Sequence, residues 1–164
     1  MRLLYSLLLI LIIPACLYAQ QNRPSNQLPA QLKKVLAEAS NSFDGFKGEQ
    51  VKDQQGEITY ASTITLQGTT ENQIMDFDAG GSYIAKLGET TNPKEAQTLV
   101  ETWKRKVLAN LAGSRYEMSK DNQRSDESEQ KGYLLSSDKV SISIYSIQYT
   151  GEKSISAFLL IMRL

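Results

Sequence analysis

Apolar residues along this chain change their period several times, and each change marks an element. Leu28, Leu32, Val35, Leu36, Ala39 and Phe43 recur at spacings of three and four, with Lys33, Lys34, Glu38 and Asn41 elsewhere on the wheel. That spacing predicts an amphipathic helix entered at Pro29 and stopped near Asp44-Gly45. A second helix carries stronger punctuation. Asn92 offers an N-cap, Pro93 a first helical residue of fixed φ, and Glu95 an acid three places after the cap. Ala96, Leu99, Val100, Trp103, Val107 and Leu111 then form one stripe and Gly113 follows, which predicts a helix over 93–112 with Trp103 in the core.

Between the helices the period falls to two. Ile58, Tyr60, Ile64 and Leu66 share one parity and Thr59, Ala61, Thr63 and Thr65 the other, as in a sheet covered on one side and wet on the other. Gly68 to Asn72 reads as a turn into a strand over 73–78, with Met75 and Phe77 toward the core. Ala79-Gly80-Gly81-Ser82 reads as a hairpin turn into 83–87, because paired glycines supply positive φ. After the second helix, 115–120 is a short strand with Tyr116 and Met118 inward, and the Ser-, Asp-, Glu- and Gln-rich stretch 121–131 reads as a mobile loop.

Strands follow at 133–136, 140–149 and 155–164, with Gly151-Glu152 joining the last two. In 140–149 the apolar parity passes from Val140, Ile142 and Ile144 to Tyr145, Ile147 and Tyr149, which predicts a bulge or a strand that changes exposure partway. Ala157 to Met162 is apolar on both parities, so the last strand belongs in the middle of the sheet or under a helix. The expected fold class is α+β, a single antiparallel sheet with two amphipathic helices packed on one face. The expected order is α-β-β-β-α-β-β-β, with room for one extra strand.

The start of the chain changes the picture from fold to compartment. Arg2, an apolar run over 3–13, a break at Pro14 and Ala19 at a cleavage point read as an export signal over 1–19, with a mature chain beginning at Gln20. The run is too short for a spanning helix, which needs about 20 apolar residues. Ile13-Pro14-Ala15-Cys16 also resembles a bacterial lipobox, in which Cys16 becomes a lipidated first residue, although Pro14 departs from that pattern. The expected organisation is a signal over 1–19, a flexible leader over 20–27 and one α+β domain over 28–164. The expected location is exported, periplasmic or secreted.

Composition then removes whole classes of chemistry. The chain has no histidine and its one cysteine is Cys16. Cleavage after Ala19 therefore excludes disulfides, thiolate nucleophiles and serine or cysteine relays through histidine, together with the usual zinc, copper and haem ligand sets. No cofactor is expected. With 18 basic and 18 acidic residues the chain lacks the positive excess of a nucleic-acid binder, and none is expected as partner.

A leading helix closing on Phe43, then Phe46-Lys47-Gly48, Leu66-Gln67-Gly68, Tyr83-Ile84-Ala85-Lys86 and a helix opened by Pro93-Lys94-Glu95-Ala96 is similar to a pattern in small exported proteins of Bacteroidota of unknown function. Ala19-Gln20 is a frequent signal junction there. The element order also looks like that of type III secretion chaperones, which implies, by architecture alone, a protein that binds other proteins.

Candidate chemistry is sparse. Asp76 and Asp78 share a strand face and precede Gly80-Gly81, so the run resembles a calcium loop, but Gly80 and Leu87 stand where that loop needs ligands. A solvated strand end is the simpler reading. Lys104-Arg105-Lys106 spans about 200° of helix and so does not converge on one anion. Tyr145 and Tyr149 sit where the strand parity changes, and the uncovered face of the sheet is where an aromatic binding surface is expected. The leading expectation is an exported, non-catalytic module that binds a protein or small ligand. The alternatives are a carboxylate-only hydrolase using Asp76 and Asp78, and an envelope protein anchored through Cys16. Intact-mass analysis of exported material is expected to show a chain starting at Gln20; a diacylated chain starting at Cys16 would contradict soluble export.

Overall fold

In the computed structural model, which describes residues 28–52, 58–77, 80–111 and 113–164, a helix and four strands are followed by a second helix and four strands. The junction at Ala19 and Gln20, Cys16, the leader over 20–27 and Asp78 lie outside the described residues. Helix α1 spans Leu28–Glu38, shorter than its apolar spacing suggests. Two 3-10 turns, Ala39–Asn41 and Asp44–Phe46, replace its expected end because Ser42 and Phe43 adopt φ of 54° and 61°. Left-handed backbone at such residues costs on the order of 1 kcal/mol each. Full burial of Phe43 against Tyr83, ring centroids 6.1 Å apart, offsets that cost. The spacing that reached Phe43 therefore reports where the side chain is buried, not how far the helix runs.

Four strands follow: β1 (Lys47–Lys52), β2 (Ile58–Ser62), β3 (Glu71–Phe77) and β4 (Gly80–Thr90). β1 carries no periodic signal because it is an edge strand whose one apolar residue, Val51, is 43% exposed; the ladder to β2 holds it. β2 stops at Ser62, and beyond it Ile64 and Leu66 donate their amides to Ser62 Oγ at 3.2 Å and Asn72 Oδ1 at 3.3 Å. One facing expectation is reversed. In β2 Tyr60 packs against the core as expected and Thr59, although buried, pairs with Met75 on the other face. In β3 it is Ile74 that lies in the core, so Met75 takes a register position on the opposite face, while the side chain of Phe77 lies outside the described residues. Gly80 has the positive φ expected of it, 127°, whereas Gly81 serves a different need: a Cβ there would overlap the Ser42 carbonyl, so the loop after α1 closes directly onto β4.

Helix α2 spans Pro93–Asn110. Asn92 Oδ1 accepts the Lys94 amide at 3.0 Å, and Glu95 accepts the Thr90 hydroxyl at 2.6 Å instead of reaching back to the Asn92 amide, which donates to Thr90 Oγ1 at 3.0 Å. Strands β5 (Glu117–Arg124), β6 (Ser128–Ser136), β7 (Val140–Tyr149) and β8 (Ile155–Arg163) complete the chain. The stretch expected as a mobile loop is thus the β5–β6 hairpin, paired without a break from Glu117↔Ser136 to Arg124↔Glu129. Its tip is docked, since the Thr150 amide donates to the Glu127 carbonyl at 2.8 Å and the Thr150 hydroxyl to the Asp126 carbonyl at 2.9 Å. Backbone pairing builds β5 with almost no burial, and an edge strand of charged side chains also resists further pairing. Met118, expected inward, is 53% exposed on that edge.

The sheet is antiparallel throughout with order β1-β2-β3-β4-β8-β7-β6-β5, so each four-strand meander gives its last strand to the middle. β8 is central, as its double-sided apolar pattern requires. β7 pairs with both neighbours without a register shift, so its parity change is a change of exposure and not a bulge. Bulges lie instead between Lys47 and Gln50 and between Lys86 and Gly88. Leu32 and Val35 of α1 and Val100, Trp103 and Val107 of α2 share one buried cluster with Ile74, Tyr83, Ile142, Ile144, Leu159 and Ile161, strand residues that the register places on one face.

Trp103 is 2% exposed. Trp103→Ala is therefore expected to cost about 3–5 kcal/mol in a urea titration, the range for emptying a buried aromatic site. Limited proteolysis is expected to spare residues 121–131; early cleavage there would contradict the hairpin.

Candidate functional site

Side chains at alternate strand positions point away from the core cluster, and the register aligns them in rows across the sheet. One row runs Gln73, Ile84, Leu160, Ser143, Leu134, Ser119. The next runs Glu71, Lys86, Phe158, Tyr145, Gly132, Asp121. On one side lies Met75, Ser82, Met162, Ser141, Ser136, Glu117; on the other, Glu89, Ser156, Ile147, Gln130, Gln123. Ile84, Leu134, Tyr145, Ile147, Phe158, Leu160 and Met162 thus meet at the centre, and each is only partly buried. Ser82, Ser141 and Ser143 are buried between these larger neighbours.

Tyr145 and Phe158 are cross-strand neighbours with ring centroids 5.8 Å apart and planes tilted by 36°. Gly132 makes room for them. A Cβ there would overlap the Ile144 carbonyl and stand 2.6 Å from Cβ of Tyr145, so only glycine lets β6 pass this close to β7. Burial raises the Tyr145 phenol above its ordinary pKa, with further contributions from Tyr149 and Asp121. Asp121 is fixed by amide donors, Gln123 Nε2 at 3.0 Å and Gln130 Nε2 at 2.9 Å. Tyr149 is 52% exposed and opens onto a polar groove of about 410 Å³ between the hairpin tips, with Arg124, Asp126, Glu129 and Glu152 along it.

The four candidate site residues separate. Tyr145 and Tyr149 fall on the same face, whereas Asp76 falls on the other, where Lys47 Nζ holds its Oδ2 at 2.7 Å and also reaches Asp44 at 2.7 Å. Those two bonds, to Asp44 first and then Asp76, raise the Lys47 pKa. Asp76 is a surface ion-pair partner, and Asp78 lies outside the described residues. Phe158, Leu160, Ile84 and Leu134 join the tyrosines unannounced by the sequence reading.

A second concavity, of about 340 Å³, opens beside α2 over β5–β7 and is lined by Lys94, Gln97, Glu101, Lys120, Lys131 and Tyr133 among others. Glu101 accepts the Tyr133 hydroxyl at 2.5 Å and Lys104 Nζ at 2.6 Å, and Lys104 sits 3.8 Å from the Tyr133 ring centre. The Lys104 and Tyr133 hydrogen bonds hold the Glu101 carboxyl below its ordinary range. Lys106 lies over the Trp103 ring at 4.4 Å, so the basic triplet is divided between separate aromatic partners and does not converge. Among the described residues no three of His, Cys, Asp and Glu are grouped to hold a metal ion, and no helix is long and apolar enough to cross a membrane.

Compared with known proteins, the chain matches no protein-family model, no curated protein and no solved structure.

Proposed function

We propose that this chain is an exported, non-catalytic binding module, with both helices on one side of the sheet and a protein partner docking on the other. One observation carries the reading. Seven large apolar side chains, from Ile84 to Met162, are aligned by strand register at the centre of a sheet face and are left partly exposed there. Contiguous apolar surface of this kind is uncommon on a soluble monomer without a purpose, and a central apolar patch with a polar rim is the usual anatomy of a protein interface. The cleft beside α2 is a weaker candidate, because its carboxylate is already held by Tyr133 and Lys104. Asp76 supports no reaction on its own, being engaged by Lys47.

The test is selection of a phage-displayed random-peptide library against the chain starting at Gln20. Selected peptides are expected to lose at least tenfold in affinity for Leu160→Ser and for Tyr145→Ser, each checked to retain a cooperative melting curve. Peptides indifferent to both substitutions but displaced by Lys120→Ser would move the site to the cleft and contradict the proposal.

A further inference from the structure

Resting on that reading, we infer that the partner is a protein whose docking surface carries aliphatic or aromatic side chains ringed by lysine or arginine. The apolar rows are bracketed by acids. Glu71, Glu89, Glu117 and Asp121 occupy the same face, and among the described residues on these rows Lys86 is the one cation. Lys86 is already neutralised by Glu89 at 2.6 Å. Glu71 and Asp121 are held by neutral amides, with Gln73 Nε2 donating to Glu71 at 2.6 Å, so their charge is fixed in place without being cancelled. Asp126 and Glu152 add further acid along the groove beside Tyr149.

The chain has as many bases as acids, 18 of each, so this acidity is a matter of placement. Six of the 18 bases lie on the helices, Lys33 and Lys34 in α1 and Lys94, Lys104, Arg105 and Lys106 in α2, and Lys120, Lys131 and Arg163 take strand positions on the helix side of the sheet. A second copy docking face to face would set the carboxylates of Glu71, Glu117 and Asp121 against an equally acidic rim, and an anionic partner surface would be repelled likewise. A basic rim on the partner answers these carboxylates, while the apolar centre supplies the water-free contact that carries most of the affinity. The acids would then set register and speed association in a salt-dependent way.

The test uses three labelled synthetic peptides that alternate leucine with lysine, glutamate or serine, titrated by fluorescence anisotropy. The Leu/Lys peptide is expected to bind at least tenfold more tightly than the other two, with the advantage shrinking as salt is raised. The double variant Glu117→Lys, Asp121→Lys is expected to remove that advantage and leave the Leu/Ser peptide unchanged. Leu160→Ser, and the more exposed Tyr149→Ser as a control against misfolding, are expected to weaken all three. Equal binding of the three peptides, or a Leu/Lys preference that survives the double variant, would overturn the basic partner while leaving the face intact. Binding unaffected by Leu160→Ser and Tyr149→Ser, or no binding at all, would overturn the face as well. A dimer in light scattering that dissociates on Leu160→Ser would assign the face to a second copy instead.

Discussion

The pairing of β4 with β8 is the constraint on which everything else in this molecule depends. It joins the last strand of each meander, from Ser82↔Met162 to Thr90↔Ile155, and sets Tyr83 beside Ile161 and Ala85 beside Leu159. Neither half closes a core without it. The buried cluster draws Leu32, Val35 and Ile74 from the first half and Trp103, Ile142 and Ile144 from the second. The described residues include no cysteine, so this shared burial and the ladders around it carry the stability that disulfides supply in many small domains.

The same pairing makes the opposite face continuous. Rows that begin on β3 run unbroken through β4, β8, β7 and β6 to β5, so the acids at their ends belong to different halves of the sequence, Glu71 to the first and Glu117 and Asp121 to the second. The edges stay soluble because β1 and β5 are polar, and the centre stays apolar because β8 is flanked by two strands that each carry apolar residues outward. A part-buried polar knot steadies the first half of this arrangement. Tyr83 donates to Asn72 Oδ1 at 2.5 Å and Asn72 Nδ2 donates to Thr69 Oγ1 at 2.8 Å, while burial raises the Tyr83 pKa and keeps the phenol protonated.

Elements that bury a periodic stripe were legible in the sequence, and those held by backbone pairing alone were not. α2, β7 and the central place of β8 follow from spacing, capping and double-sided apolarity. β1 and the β5–β6 hairpin were missed because an edge strand can pair fully while burying nothing, and polar residues then read as a loop. Parity in β3 is reversed because the turn before it sets which residues face inward, and a turn of mixed Gly, Thr and Asn does not fix that phase from composition alone. At the site, the parity change in β7 pointed to Tyr145 and Tyr149. It could not point to Phe158 or Leu160, since a strand apolar on both sides reads as covered on both sides. Asp121 was hidden in the presumed loop, and Asp76, one residue from Met75, necessarily faces the other way.

Native-state hydrogen exchange measures the shared core most directly. The central amides of β4 and β8 are expected to open together, with one free energy that approaches global unfolding and falls in parallel with it as denaturant is added. Two separate opening free energies, one for residues 28–90 and another for 93–164, would show that each half folds alone and would contradict the dependence of the core and the binding face on the β4–β8 seam.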